Sequence, residues 1–276
     1  MGTGKLFVVG TPIGNLGDLT SRARDVLGAA ALVVAEDTRR TRALLSALGI
    51  GGRPVERLDA HAADADVRRV VARLEAGDDV ALVTDAGTPS VSDPGAALVK
   101  AATEAGAAVV AIPGASAVVA ALSVAGFGGG GFRFLGFLPR SGRERREALE
   151  RVVATPEPVV LFEAPQRLAE TLADLGALMP ERDAVVAREI TKLHEELVRG
   201  TLRALAADAR EWRGEITLVL GPKPEAPPAR WDEAAVDARI DAELARGKRA
   251  KQIAEALSLE SGWSKREVYE RVTARK

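Results

Sequence analysis

Short apolar segments alternate with longer amphipathic ones through the first half of the chain. The segments 5–10, 32–35, 54–58, 79–83 and 108–112 read as strands; Val80 to Val83 in particular form a continuous apolar run of strand length. Between them the pattern predicts helices over 19–27, 36–48, 64–76 and 117–124. In the third of these, Val67, Val70, Val71 and Leu74 recur at helical spacing and Gly77 ends the run, as Gly49 ends the second. Asp93-Pro94 reads as an N-cap followed by proline in the first helical turn, opening a helix that runs to Gly106. A strand, a loop and a helix in repeated order describe an open α/β sheet, in which ligands settle at the carboxyl ends of the strands.

The glycine run from Gly126 to Gly131 breaks this pattern and marks a domain boundary, giving a first domain over 1–126 and a second over 127–221. The second half predicts strands at 132–137, 159–162, 184–187, 197–200 and 215–220, with helices reaching 153 and spanning 166–178 and 202–212. Pro222, Pro224, Pro227 and Pro228 make 222–232 a stiff linker. In the module 233–276, Ile253, Ala254 and Leu257, then Val268 and Val272, describe two short amphipathic helices, the second capped by Ser264.

Composition narrows the chemistry. The 276 residues are only 4% aromatic, so aliphatic side chains and alanine fill the interior. The absence of cysteine excludes disulfides, thiolate zinc sites and a cysteine nucleophile, and two histidines are too few for a histidine-rich metal centre, so no metal is expected. With no charged-then-apolar leader and no apolar run of membrane length, a cytoplasmic protein is expected. The 38 basic and 39 acidic residues balance over the whole chain, but from Arg246 onward nine Lys or Arg face four Glu. That local excess makes Lys248, Arg249, Lys251, Lys265 and Arg266 candidate contacts for phosphate, with a merely solvated face as the alternative.

Candidate chemistry gathers in the loops that follow the first-half strands. Thr84 to Gly95 is a polar, small-residue loop in which Asp85 can accept hydrogen bonds from an amine or hydroxyl. Pro113 to Ala117 is a second small-residue turn. The loop Thr11 to Asp18 has glycines and a proline but neither a G-x-G-x-x-G spacing nor the lysine of a P-loop. Glu36 and Asp37 either cap a helix or face a polar substrate. His61 follows a strand at the same sheet edge. Arg188 to Glu196 packs two bases, a histidine and three acids into nine residues.

Thr11-Pro12-Ile13-Gly14-Asn15-Leu16-Gly17-Asp18, Glu36-Asp37-Thr38-Arg39, Asp85-Ala86-Gly87-Thr88-Pro89, Asp93-Pro94-Gly95, Pro113-Gly114, Phe162-Glu163-Ala164-Pro165 with Arg167, and Arg188-Glu189-Ile190-Thr191-Lys192 occur in that order over roughly 5–221. Together they closely resemble the ribosomal RNA small subunit methyltransferase I family. The resemblance implies a two-domain tetrapyrrole-methylase-like α/β fold of the class III methyltransferases, with a small helical carboxyl-terminal module. It implies S-adenosylmethionine in the cleft between the domains, and methylation of a cytidine ribose 2′-oxygen in 16S ribosomal RNA, cytidine 1402. The cofactor residues it implies are Pro12, Asp85, Gly87, Thr88, Ser92, Pro113, Gly114, Ala115, Ser116 and Ala117, with Phe162, Glu163 and Ala164 from the second domain. Glu36, Asp37, Glu189 and Lys192 become the catalytic candidates, and Arg39, Arg167 and Arg188 candidate forks for RNA phosphates. A homodimer acting on the small ribosomal subunit is implied as well. A tetrapyrrole C-methyltransferase sharing the cofactor loops, and a non-catalytic RNA-binding assembly factor, are the alternatives.

Overall fold

In the computed structural model, which describes residues 2–58, 64–90, 95–128, 130–224 and 229–275, the first half winds β1 (Lys5–Val9), α1 (Ser21–Ala29), β2 (Leu32–Ala35), α2 (Thr38–Ala47), β3 (Val55–Arg57), α3 (Asp64–Glu75), β4 (Val80–Leu82), α4 (Ala96–Glu104) and β5 (Ala108–Ile112). The five strands are parallel, in the order β3-β2-β4-β1-β5. Leu6, Val34, Val80 and Leu82 pack on one face with Val70, Leu74 and Leu98 of α3 and α4. Val9, Val33, Ala81 and Ile112 pack on the other with Ala23, Leu27 and Leu45 of α1 and α2. Burial on both faces is why these strands read as continuous apolar runs rather than alternating ones. The segments Asp59 to Ala62, including His61, and Val91 to Pro94, including Ser92 and the expected Asp93-Pro94 cap, lie outside the described residues.

The chain then forms α5 (Ala117–Ala125), β6 (Arg133–Phe137), α6 (Gly142–Ala154), β7 (Val159–Glu163), α7 (Pro165–Leu178), β8 (Asp183–Arg188), β9 (Glu196–Thr201), α8 (Leu202–Ala206) and β10 (Ile216–Leu220). This second sheet is mixed, in the order β6-β7-β10-β8-β9, with β10 antiparallel to both β7 and β8. The apolar side of α5 (Val118, Ala121 and Ala125) packs on Val160, Val185 and Val219 of this sheet, so the helix assigned by sequence to the first half packs with the second. Both sheets belong to one compact unit, residues 1–223. The expected helix over 202–212 stops at Ala206: the Asp208 carboxylate accepts from the Arg210 backbone N–H at 3.1 Å, a local bond that competes with a helical turn.

Residues 224–276 form the second unit. Its described residues form three helices rather than two: α9 (Glu233–Ala245), α10 (Ala250–Glu260) and α11 (Lys265–Thr273). Val236 and Ile240 of α9 join Ile253, Leu257, Trp263, Val268 and Val272 in its core. Ser264 caps α11, accepting from Glu267 N at 3.2 Å while the Glu267 carboxylate accepts from Ser264 N at 2.7 Å. Among the described residues no helix is long and apolar enough to cross a membrane.

Candidate active site

Parallel strands deliver the loops after β1, β2, β4 and β5 to one edge of the first sheet, and short backbone contacts fasten these loops together. Thr11 and Gly87 exchange backbone hydrogen bonds at 2.8 and 3.1 Å, which joins the first loop to the central one. Thr88 Oγ1 donates to the Ala115 carbonyl at 3.2 Å, joining the central loop to the third. Gly10 and Gly114 meet backbone to backbone: a Cβ on either would stand 2.7 Å from main-chain atoms of the other. Only glycine permits this approach. Gly87 and Thr88, expected to bind cofactor, thus tie the loops together, and Pro12 sits between the bridged Thr11 and the cavity-lining Ile13.

A cavity of about 430 Å3 opens beside this edge, within the range of small-molecule sites. From the first half it is lined by Ile13, Glu36, Thr84, Asp85, Ala86 and Ala117. From the second come Phe137, Phe162, Glu163, Ala164, Ile190 and Glu215. Pro113, Gly114, Ala115 and Ser116 line instead a neighbouring hollow of about 420 Å3 that shares Ile13 and takes in Thr191. The rings of Phe137 and Phe162 lie 5.6 Å apart, tilted at 55°, and Phe134 meets Phe162 edge-on at 5.0 Å. Together they make an aromatic wall.

The acids around this cavity are not equivalent. Asp37 is the N-cap of α2: its carboxylate accepts from Arg39 N at 2.8 Å and Arg40 N at 3.5 Å, and the Arg39 N–H above all holds its pKa below the usual carboxylate value. Asp85 accepts from Asp37 N at 3.0 Å and pairs with Arg40 at 3.4 Å. Glu163 is buried, accepting from Ala164 N at 2.9 Å and from the Thr171 hydroxyl at 2.7 Å. Arg167 pairs with Glu163 at 3.5 Å and donates to the Leu138 and Pro139 carbonyls at 2.8 and 3.1 Å, so the expected phosphate fork braces a loop. Glu36 is half-buried in the cavity wall, with no hydrogen bond or ion pair among the described residues.

The stretch after β8 is tightly wound. Glu189 and Thr191 adopt left-handed backbone at φ 51° and 68°, a strained choice for a β-branched threonine. What holds them is a charged knot. The Glu189 carboxylate accepts from Glu215 N at 2.7 Å and from Lys192 Nζ at 2.9 Å; Lys192 also reaches Glu215 at 2.9 Å. The Glu215 N–H is the main cause of a lowered Glu189 pKa, with Lys192 adding to it. Desolvation pulls the Lys192 pKa down, but its bonds to Glu189 and Glu215 outweigh this and raise it. Lys192 is therefore a fixed cation and Glu189 a fixed anion. The lysine stem crosses Gly14 so closely that a Cβ there would overlap it, which docks this stretch on the first loop. Arg188 pairs with Glu196 at 3.0 Å. The Thr191 hydroxyl is buried and has no partner among the described residues.

The sequence matches known proteins. Residues 5–206 fit the model of the tetrapyrrole (corrin/porphyrin) methylases. A protein of Neisseria meningitidis serogroup A named ribosomal RNA small subunit methyltransferase I is 46% identical over 226 residues, covering 79% of this chain and 76% of that protein. One of the same name from Micromonospora olivasterospora is 43% identical over 275 residues, covering 98% of this chain and 87% of that one. The chain belongs to the ribosomal RNA small subunit methyltransferase I family, within the tetrapyrrole methylases.

Solved structures of this fold are more distant in sequence. The methyltransferase CobJ superposes with a TM-score of 0.60 at 19% identity, covering 83% of this chain and 98% of that one. A uroporphyrin-III C-methyl transferase from Thermus thermophilus, complexed with S-adenyl homocysteine, gives 0.56 at 21% identity, covering 79% and 97%. Of the residues expected for the family's site, the cavity gathers Glu36, Asp85, Ala117, Phe162, Glu163 and Ala164. Sequence reasoning missed Phe137, Ile190 and Glu215. Phe137 was within reach, since it ends a strand parallel to β7 beside Phe162. Glu215 was not, because it precedes a strand whose antiparallel direction brings its start to the cavity, with Ile216 opposite Glu163 and Arg188.

Among the candidate phosphate contacts of the second unit, Lys248 pairs with Glu243 at 2.5 Å, Lys265 with Glu255 at 3.0 Å and Arg266 with Glu270 at 2.8 Å. Arg249 and Lys251 have no ion pair among the described residues. The basic excess counted from Arg246 is offset by the acids of α9: over 224–276 there are eleven Lys or Arg and ten Asp or Glu.

Proposed function

We propose that this methyltransferase moves a methyl group from S-adenosylmethionine to the ribose 2′-oxygen of a cytidine in 16S ribosomal RNA, cytidine 1402, with Glu36 accepting the hydroxyl proton. The observation that carries the assignment of Glu36 is its isolation. Asp37, Asp85, Glu163 and Glu189 each accept hydrogen bonds or ion pairs that occupy their lone pairs, whereas Glu36 faces the cavity with none among the described residues. A carboxyl group at the wall whose oxygens have no partner among the described residues can take the proton of a weakly acidic hydroxyl.

The cavity fits the cofactor in size and lining. Asp85, Ala86 and Ala117 would hold it from the first half, and Phe162, Glu163 and Ala164 from the second; small side chains admit close approach to backbone, and the phenylalanine wall suits a purine. When bound, S-adenosylmethionine supplies a methyl group already activated by the sulfonium charge. The chain's own work is to orient the ribose, take its proton at Glu36 and present the Lys192 ammonium, fixed by Glu189 and Glu215, to the negative charge of the nucleotide. Arg39, 88% exposed in its side chain, remains available to phosphate despite a 3.4 Å contact with Asp37, as do Arg249 and Lys251 of the second unit. A homodimer is part of this reading, supported by the apolar edge strand β5, on which Ala108, Val109 and Ala111 are exposed; sedimentation equilibrium tests it.

Transfer of label from S-adenosylmethionine to small ribosomal subunits, naked 16S RNA or a uroporphyrinogen separates the candidate functions. Label in RNA is expected. Label only in the macrocycle would contradict the reading, as would binding to subunits with no transfer. Glu36→Gln should retain cofactor binding by calorimetry and lose turnover.

A further inference from the structure

Residues 38–55 contain four arginines and no acid, in a chain where acids outnumber bases by one. The structure folds this stretch into α2 and the turn to β3, and its cations stand together along one side of the first sheet. Arg39 and Arg42 are three apart on α2 and share a face. Arg40 pairs with Asp85 at 3.4 Å, which brings it to the rim of the cavity. At the other end of α2, Arg42 and Arg53 line an open hollow of about 440 Å3 with Ser46 and the bare backbone of Gly51 and Gly52. Arg53 is exposed and makes no hydrogen bond or ion pair among the described residues. Arg42 is held toward the hollow by its bonds to Thr38 Oγ1 at 3.1 Å and the Val55 carbonyl at 3.2 Å. A Cβ at Gly51 or Gly52 would meet nothing within 4 Å, so a ligand can reach their main chain.

We infer that this strip, and in particular the Arg42–Arg53 hollow, binds backbone phosphates of the RNA that enters the cavity. The inference rests on the RNA reading above and says which surface the substrate crosses. Guanidinium forks and exposed glycine amides match phosphodiester oxygens. The hollow has no aromatic anchor of the kind that carries protein interfaces. The ten residues of α2 rise about 15 Å at 1.5 Å each, so the strip runs from the cavity rim along the path of a short strand.

The test measures binding of wild-type and variant full-length protein to a fluorescent single-stranded RNA oligonucleotide bearing the target cytidine, from 50 to 300 mM KCl. Arg42→Ala/Arg53→Ala should lower the slope of log affinity against log salt by about 1.4, about 0.7 for each phosphate left without its arginine. Arg53→Ala alone, which breaks no bond within the described protein, should lower it by about 0.7. Arg68→Ala/Lys100→Ala removes the same charge from α3 and α4 on the opposite face of the sheet and should leave the slope unchanged. The inference is overturned if the strip variants keep the wild-type slope, or if the opposite-face variant reduces it equally. Wild-type protein that binds the RNA at no salt concentration and transfers no methyl group would overturn the underlying RNA reading too.

Discussion

The carboxyl-terminal helices and the α2–β3 edge are both rich in arginine, and they use it in opposite ways. In that unit, Arg271 of α11 pairs with Asp237 and Glu233 of α9, Arg275 beyond α11 with Asp237 and Asp241, and Arg230 before α9 with Glu267 of α11, so cations and acids from separate segments meet. Arg230 and Arg271 also lie over the Trp263 ring at 4.5 and 5.2 Å. These arginines hold a small module together. Along α2 and the turn to β3 the stretch itself supplies no acid: Arg39 and Arg40 reach Asp37 and Asp85 outside it at 3.4 Å, and Arg53 makes no ion pair among the described residues. The surroundings of the cavity repeat the contrast on a smaller scale, with Glu189 tied into a knot and Glu36 without a hydrogen bond or ion pair among the described residues. A charge that already has a partner stabilises the fold; one without a partner is available to a ligand.

Substitutions can break this contrast, beginning where the effect is greatest. Glu36→Gln should lower turnover by about 100- to 10,000-fold, measured by label transfer at saturating cofactor; a rate near wild type would place the base elsewhere. Glu189→Ala should instead act on stability, costing about 1.5–3 kcal/mol in urea unfolding for the broken charged hydrogen bonds. Gly114→Ala drives a Cβ to 2.7 Å from the Gly10 backbone and should cost about 1–3 kcal/mol by overpacking, with weaker cofactor binding by calorimetry because the loops must part.

Smaller effects sharpen the same comparison. Arg53→Ala should weaken RNA binding more than Arg266→Ala, whose side chain is already engaged by Glu270; equal losses would erase the distinction. The ion pairs of the second unit also predict an acid response. The Arg230 guanidinium, followed by Ser264, pulls Glu267 from 4.5 to about 2, and Arg271 and Arg275 hold Asp237 well below its ordinary value. Because these pKa values are depressed in the folded state, the unfolded chain takes up protons more readily. Their stabilisation is complete above the unfolded carboxylate values and is lost as pH falls from about 4.5 toward 2. Arg230→Met should flatten the loss of Trp fluorescence over that range in the full chain.

Much of the fold could be read from the chain because doubly covered parallel strands leave unbroken apolar runs such as Val80 to Val83, and glycines end the helices between them. Direction was harder to read: nothing in the run Ile216 to Leu220 says that it lies antiparallel to its neighbours, which is why Glu215 went unseen. Helix α9 was hidden by alanines and acids around Val236 and Ile240, and with it the partners of Arg271 and Arg275. Motifs picked out loops that the structure joins at one sheet edge, but they could not separate Glu36 from Asp37. The distinction lies in which carboxylate turns back to cap its own helix.

The most direct test is to locate the transferred methyl group. Small ribosomal subunits lacking the modification are incubated with the protein and isotopically labelled S-adenosylmethionine, digested to nucleosides and analysed by mass spectrometry. The account predicts 2′-O-methylcytidine with the label on the ribose, and its loss with Glu36→Gln; label on the base, or full labelling by that variant, would contradict it.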